Sequence, residues 1–198
     1  MDKAVAGRTV SCVLLAAGSG SRFGGGKLLA DFRGEPLYER ALRLMSAAGF
    51  DRSAVVSGCG EILAAAARRG FLGVQNDEPE RGISLSVRLG LEAVKPCSAV
   101  LFLVGDQPLL TAESVRRILA AGAEHPEKII VPRASDGRGG SPCLFPEAFF
   151  PELAALEGDR GGRRVIRAHP ETVFAVELPE SELIDTDTQE ALRRLEKV

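Results

Sequence analysis

The chain has 198 residues, 45% of them hydrophobic and 26% charged, and a formal net charge of -2. That balance is globular; it excludes a disordered chain and a broadly basic surface for nucleic acid, which needs excess Lys and Arg. No stretch approaches the roughly 20 apolar residues of a membrane span, so neither nucleic acid nor membrane is an expected partner. In chain order, the apolar run at 10–17 predicts a buried strand that stops at a glycine-rich loop. Residues 35–49 predict a helix, with Pro36 suited to its first turn and Gly49 to its end. Strands are expected at 54–57 and 72–75, with an Ala-rich helix at 61–69 between them. Ile83, Val87, Leu91 and Val94 recur at helical spacing. A continuous apolar strand follows at 99–104, and Thr111 is a good N-cap for a helix to about Gly122. The remainder predicts strands at 128–131, 143–145 and 172–176, and helices at 149–156, 162–168 and 188–196.

This alternation implies an α/β fold of Rossmann-like, three-layer form. Its strands are too apolar to face water, so the sheet is expected to be mostly parallel with helices on both faces. The second half is less regular, and there the sheet should become partly mixed. No repeat, linker or low-complexity stretch interrupts residues 1–198, which read as a single domain. The four cysteines, Cys12, Cys59, Cys97 and Cys143, form no close pair and read as reduced thiols of a cytoplasmic protein. With only two histidines, His125 and His169, a zinc site of the usual ligand type is not expected.

Ligands of such sheets sit beyond the carboxyl ends of the strands, so the loops there carry the functional signal. The first is "VLLAAGSGSRFGGGK", residues 13–27. It is not a P-loop, because Ser21 stands at the first Gly position and Leu28 replaces the hydroxyl residue. It is not a dinucleotide fingerprint either, because Phe23 takes the third Gly position after Gly18 and Gly20. Its chemistry still suits an anion: glycines let backbone N–H groups converge on phosphate oxygens, and Arg22 and Lys27 supply charge. A flexible surface turn with two solvated cations is the plain alternative. The second signal is Gly105-Asp106-Gln107-Pro108, where Asp106 either closes a turn or offers an oxygen ligand to a hard divalent cation. The third is Asp185-Thr186-Asp187-Thr188 ahead of the last helix, where the acids either cap that helix or face the same cation.

Together these stretches resemble the MobA-like nucleotidyltransferases, most of all the molybdenum cofactor cytidylyltransferases. The resemblance rests on Leu15-Ala16-Ala17-Gly18 with Arg22, Gly24 and Lys27, on "NDEPERGISLSVRLGL" (76–91), "GDQP" (105–108), "GDRGGR" (158–163) and "DTDT" (185–188). It implies the fold of the nucleotide-diphospho-sugar transferases and transfer of a nucleoside monophosphate from CTP, or GTP, to a molybdopterin-type phosphate acceptor. Pyrophosphate would leave, and the product would pass to a transient molybdoenzyme partner. On the same footing, Leu15, Ala16, Ala17, Gly18, Ser19, Gly20, Ser21, Arg22, Lys27, Asn76, Ser84 and Gly105 would bind the nucleotide. Arg22, Lys27 and Asp106 would be catalytic. Mg2+ would be held by Asp106 with Asp185 or Asp187. The form Ala16-Ala17-Gly18 resembles that of the cytidine-using branch.

Ser86 shares the helix start with Ser84, where a hydroxyl meets base or phosphate or simply caps. Arg160, Arg163, Arg164 and Arg167 form a basic cluster that either steers an anionic pterin phosphate or is a solvated helix face. The chain departs from the family pattern at Phe23, where Met is usual, and at Ser141, where Gly-His-Pro is common; the Ser leaves the acceptor open. Guanylyl transfer, transfer to a sugar- or polyol-phosphate, and a non-catalytic delivery protein are the competing readings.

Overall fold

The apolar runs assemble into one seven-stranded sheet in the order β5-β4-β1-β6-β8-β7-β9. The computed structural model describes residues 8–18, 20 and 23–197. Its strands are β1 (Val10–Leu15), β2 (Asp31–Phe32), β3 (Glu35–Pro36), β4 (Arg52–Ser57), β5 (Leu72–Gln75), β6 (Ala99–Val104), β7 (Ile129–Arg133), β8 (Cys143–Pro146) and β9 (Val173–Glu177). Its helices are α1 (Leu37–Ala48), α2 (Gly60–Arg68), α3 (Ile83–Val94), α4 (Ala112–Glu124), α5 (Phe150–Ala154), α6 (Arg163–Ala168) and α7 (Gln189–Leu195). β1 runs parallel to β4 and β6, whereas β8 runs antiparallel to β6 and β7, so the sheet is mostly parallel and mixed in its second half. This is the mostly parallel, partly mixed α/β sheet with helices on both faces that the sequence predicts.

Alternation along each strand sends neighbouring side chains to opposite faces, and both faces are covered. Cys12 and Leu14 of β1 lie in one core layer with Leu42 and Met45 of α1, Ile62 of α2 and Ile118 of α4. Val13 lies in the other, with Val87 and Leu91 of α3, Leu153 of α5 and Val165 of α6. α3 presses close to the sheet because Gly90 faces it: a Cβ there would lie 2.3 Å from Val13 Cγ1. A third, smaller cluster joins Phe23, Phe32, Leu37, Leu192 and Leu195, so α7 packs over the glycine loop and the β2–β3 hairpin.

The helix expected from residue 35 begins at Leu37, because Glu35 and Pro36 pair with β2 across a tight turn. At Thr111 and Thr188 the hydroxyls accept the N–H groups of Ser114 and Ala191, capping α4 and α7. All four cysteines are free thiols. Among the described residues, no helix is long and apolar enough to cross a membrane.

Candidate active site

From β1 the chain winds through β4 to β5, then crosses back beneath α3 to β6 on the far side of β1. The switch point between β1 and β6 is where open α/β sheets take their ligands. A cleft of about 350 Å³ opens there. Leu15, Ala17, Gly18, Gly20 and Lys27 line one wall, and Val104, Gly105 and Asp106 line the other. Gly82, Ile83 and Ser86 at the start of α3, together with Asp159 and Asp187, complete it. The loop before Lys27 turns sharply on glycines: Gly20, Gly24, Gly25 and Gly26 all have φ between 58° and 93°, which side-chain-bearing residues rarely adopt.

Lys27 is the electrostatic centre of the cleft. Its Nζ donates to Asp106 Oδ2 at 2.5 Å and to Asp187 Oδ1 at 3.0 Å. Burial alone would lower this ammonium's pKa, but the hydrogen bonds and charges of Asp106 and Asp187 outweigh it and raise it. Lys27 is therefore a fixed positive charge at neutral pH. Thr188 caps α7, so Asp187 is not needed for that task and its carboxylate turns to Lys27. Asp185 takes another partner: its Oδ1 accepts from Gln107 Nε2 at 3.0 Å. Burial, and then the charge of Asp106, holds Asp185 above the ordinary carboxylate range. Between these two acids, Thr186 donates its N–H (2.9 Å) and its hydroxyl (3.0 Å) to the Asp106 carbonyl.

Asp106 and Asp187 fit a hard divalent cation. Asp106 Oδ1 is buried and has no hydrogen-bond partner, and Asp187 reaches the same ammonium as Asp106. One or two carboxylates plus substrate phosphates are what Mg2+ takes from a nucleotide site. Asp185 does not complete a triad with them. Its oxygen is tied to Gln107, and among the described residues no group of three or more His, Cys, Asp or Glu is placed to hold a metal.

A wider groove of about 1090 Å³ adjoins the cleft and shares Leu15, Ile83, Val104, Asp159 and Asp187 with it. Arg160, Arg163, Arg164 and Arg167 line this groove, as do Ser141 and Asp185. Cys143 also faces it, but burial pushes that thiol's pKa up to about 12, so it stays protonated and is no nucleophile at neutral pH. All four arginines are solvent-exposed, and three of them lie on α6, on the side that borders the groove.

Not every residue singled out from the sequence reaches the cleft. Ser19, Ser21 and Arg22 lie outside the described residues. Ala16 is buried; its N–H bonds the Val56 carbonyl and its own carbonyl accepts from Ser57, which anchors the chain leaving β1. Asn76 is also buried, donating to Ser86 Oγ at 3.0 Å and accepting from the Glu78 N–H at 3.1 Å. It holds Ser86, which does line the cleft. Ser84 is buried behind it, its N–H bonded to the Gly158 carbonyl.

Asp159, by contrast, stands at the junction of cleft and groove and was not singled out from the sequence. It lies in the GDRGGR stretch (158–163), yet nothing in that stretch by itself turns the acid toward the cleft. What brings it in is Gly82, with φ 87° and ψ 173°, against which the Gly158 backbone packs. A Cβ on Gly82 would lie 2.3 Å from the Gly158 carbonyl carbon. Gly82→Ala is therefore expected to destabilise the fold by about 3 kcal/mol, from backbone strain and the displaced loop together. Urea unfolding of the variant measures this; an unchanged midpoint would contradict the packing argument.

A family model, the MobA-like NTP transferase domain, matches residues 12–173. The chain belongs to that family. It is a nucleotidyltransferase family by its description, and the cleft lies at the fold position where a nucleotide is expected. Nicotine blue oxidoreductase of Paenarthrobacter nicotinovorans is 31% identical over 197 residues, covering 94% of this chain and 96% of that protein. The 2-C-methyl-D-erythritol 4-phosphate cytidylyltransferase of Symbiobacterium thermophilum is 32% identical over 133 residues, 64% of this chain and 56% of that one. Among solved structures, the manganese complex of Rv0371c from Mycobacterium tuberculosis superposes with a TM-score of 0.80 at 29% identity, covering 96% of this chain and 98% of that one. The MobA-like fold is thus shared over nearly the whole chain, while the names of these relatives span an oxidoreductase and a cytidylyltransferase.

Proposed function

We propose that this protein is a cytidylyltransferase that joins the CMP part of CTP to the phosphate of molybdenum-loaded molybdopterin, releasing pyrophosphate. The observation that carries this reading is Lys27 held between Asp106 and Asp187 in a cleft that opens directly onto an arginine-lined groove. Such a site has a charged end for a triphosphate and an adjoining basic surface for an anionic acceptor. Similarity to a cytidylyltransferase supports the choice of CTP.

In this mechanism the triphosphate lies over the glycine loop, whose backbone N–H groups and Lys27 and Arg22 take the charge that develops on it. The acceptor phosphate enters from the groove under the pull of Arg160, Arg163, Arg164 and Arg167. It attacks the α-phosphate in line, the bond to the β-phosphate's bridging oxygen breaks, and pyrophosphate leaves. Asp106 and Asp187 would hold Mg2+, which would supply charge compensation to the triphosphate when bound. The chain's own contribution is position and electrostatics, with no covalent intermediate. On this reading residues 1–198 act as one domain in the cytoplasm, and the product passes to a molybdoenzyme.

Pyrophosphate release is the test, comparing CTP with GTP, with and without molybdenum-loaded molybdopterin. The expected result is release that needs CTP and that acceptor, stops with EDTA and returns with Mg2+. Release with GTP instead would move the base assignment to guanosine. Release only with a sugar- or polyol-phosphate would move the acceptor, in keeping with Ser141 on the groove wall. Nucleotide binding with no release under any of these conditions would favour a delivery protein.

A further inference from the structure

We infer that Thr186 is a positioning residue of this site: its hydroxyl fixes where the Asp106 and Asp187 carboxylates stand relative to each other. The inference rests on the nucleotidyltransferase reading and extends it to a residue that touches no substrate.

Three observations carry it. Thr186 is fully buried, where an apolar side chain of the same size would avoid the cost of desolvating a hydroxyl. Both of its donors nevertheless converge on one acceptor, the carbonyl of Asp106, and a carbonyl has two lone pairs to receive them. Finally, the two carboxylates that share Lys27 come from distant parts of the chain, the loop after β6 and the segment before α7.

Other bonds join these segments. Gln107 donates to Asp185, and Thr111 donates its N–H and hydroxyl to Glu182. Thr186 differs from them in where it acts. It bonds the backbone of Asp106 itself, and Asp187 is the next residue in the chain. A shift at this point moves one carboxylate against the other with no side chain between to absorb it. The Thr186 N–H alone would keep the segments together; the hydroxyl adds the second bond that defines their register.

Thr186→Val removes the hydroxyl and keeps size and backbone N–H, whereas Thr186→Ser keeps the hydroxyl and loses a methyl. The probe is Mn2+ with inorganic pyrophosphate, the product common to nucleotidyl transfer whatever the base or acceptor. Binding is followed by electron paramagnetic resonance, with a thermal melt of each variant alongside. Thr186→Val is expected to weaken Mn2+–pyrophosphate binding about tenfold, and Thr186→Ser to stay within about twofold of the unmodified protein, as for residues that orient metal ligands. Both variants should melt close to the unmodified protein. Unchanged binding in Thr186→Val overturns the inference, and so does equal weakening in both variants, which would point to packing. Failure of the unmodified protein to bind Mn2+–pyrophosphate overturns the phosphate site and this inference with it. Binding without any nucleotidyl transfer would remove the proposed reaction and leave the role of Thr186 standing.

Discussion

Replacing Asp106 with Asn is expected to cut turnover about a thousandfold while the protein stays folded. The substitution keeps the shape of the side chain and removes only its charge and one acceptor oxygen. The Asp106 carbonyl would still receive the N–H and hydroxyl of Thr186, so the loop after β6 keeps its anchor. Lys27 would retain only Asp187, and the buried, unpartnered Oδ1 would lose the negative charge that suits it to a cation. Pyrophosphate release and a melting curve on the same preparation measure the two effects separately. Turnover above a tenth of the unmodified level would sink the assignment of Asp106 to the reaction.

Lys27→Met should cost both activity and stability. Its ammonium is the shared counter-charge of two carboxylates, and its side chain is 11% exposed. Removing one partner of a buried pair costs several kcal/mol, but Asp187 is 42% exposed and water compensates it, so the expected loss is about 2 kcal/mol. Turnover should fall about a hundredfold or more, with weaker triphosphate binding, because the charge that meets the phosphates is gone. Lys27→Arg should not restore it, since a larger planar guanidinium cannot set its charge at the point where the compact ammonium meets both carboxylates. Isothermal titration with CTP, beside urea unfolding, checks these effects; CTP affinity unaffected by Lys27→Met would take the triphosphate away from this end of the cleft.

Much of the fold was readable because its elements carry clear periods and punctuation. α3 starts after Gly82 and ends before a proline, and β6 is an unbroken apolar run; both have the bounds their sequence predicts. The β2–β3 hairpin was not readable, since strands of two residues hold no period, and Pro36 looks equally at home in a helix's first turn. The cleft's main acids and its lysine were legible because they sit at strand ends and at a helix start, where fold geometry already places ligands. Side-chain direction was not. Asn76 and Ser84 are polar residues close to a ligand-facing helix start, yet both are buried, and it is Ser86 that reaches the cleft. Asp159 lies in the GDRGGR stretch, but it reaches the cleft through the close packing of Gly158 on Gly82, a contact between distant segments that the stretch alone does not announce.

In the proposed reaction the bond broken lies between the α- and β-phosphates of the nucleotide. CTP carrying 32P at the α position, and separately at the γ position, should be incubated with the enzyme, Mg2+ and molybdenum-loaded molybdopterin. The α label is expected to move to the pterin product and the γ label to appear only in pyrophosphate. Appearance of the γ label in inorganic phosphate or on the acceptor, with CDP left behind, would contradict that reaction.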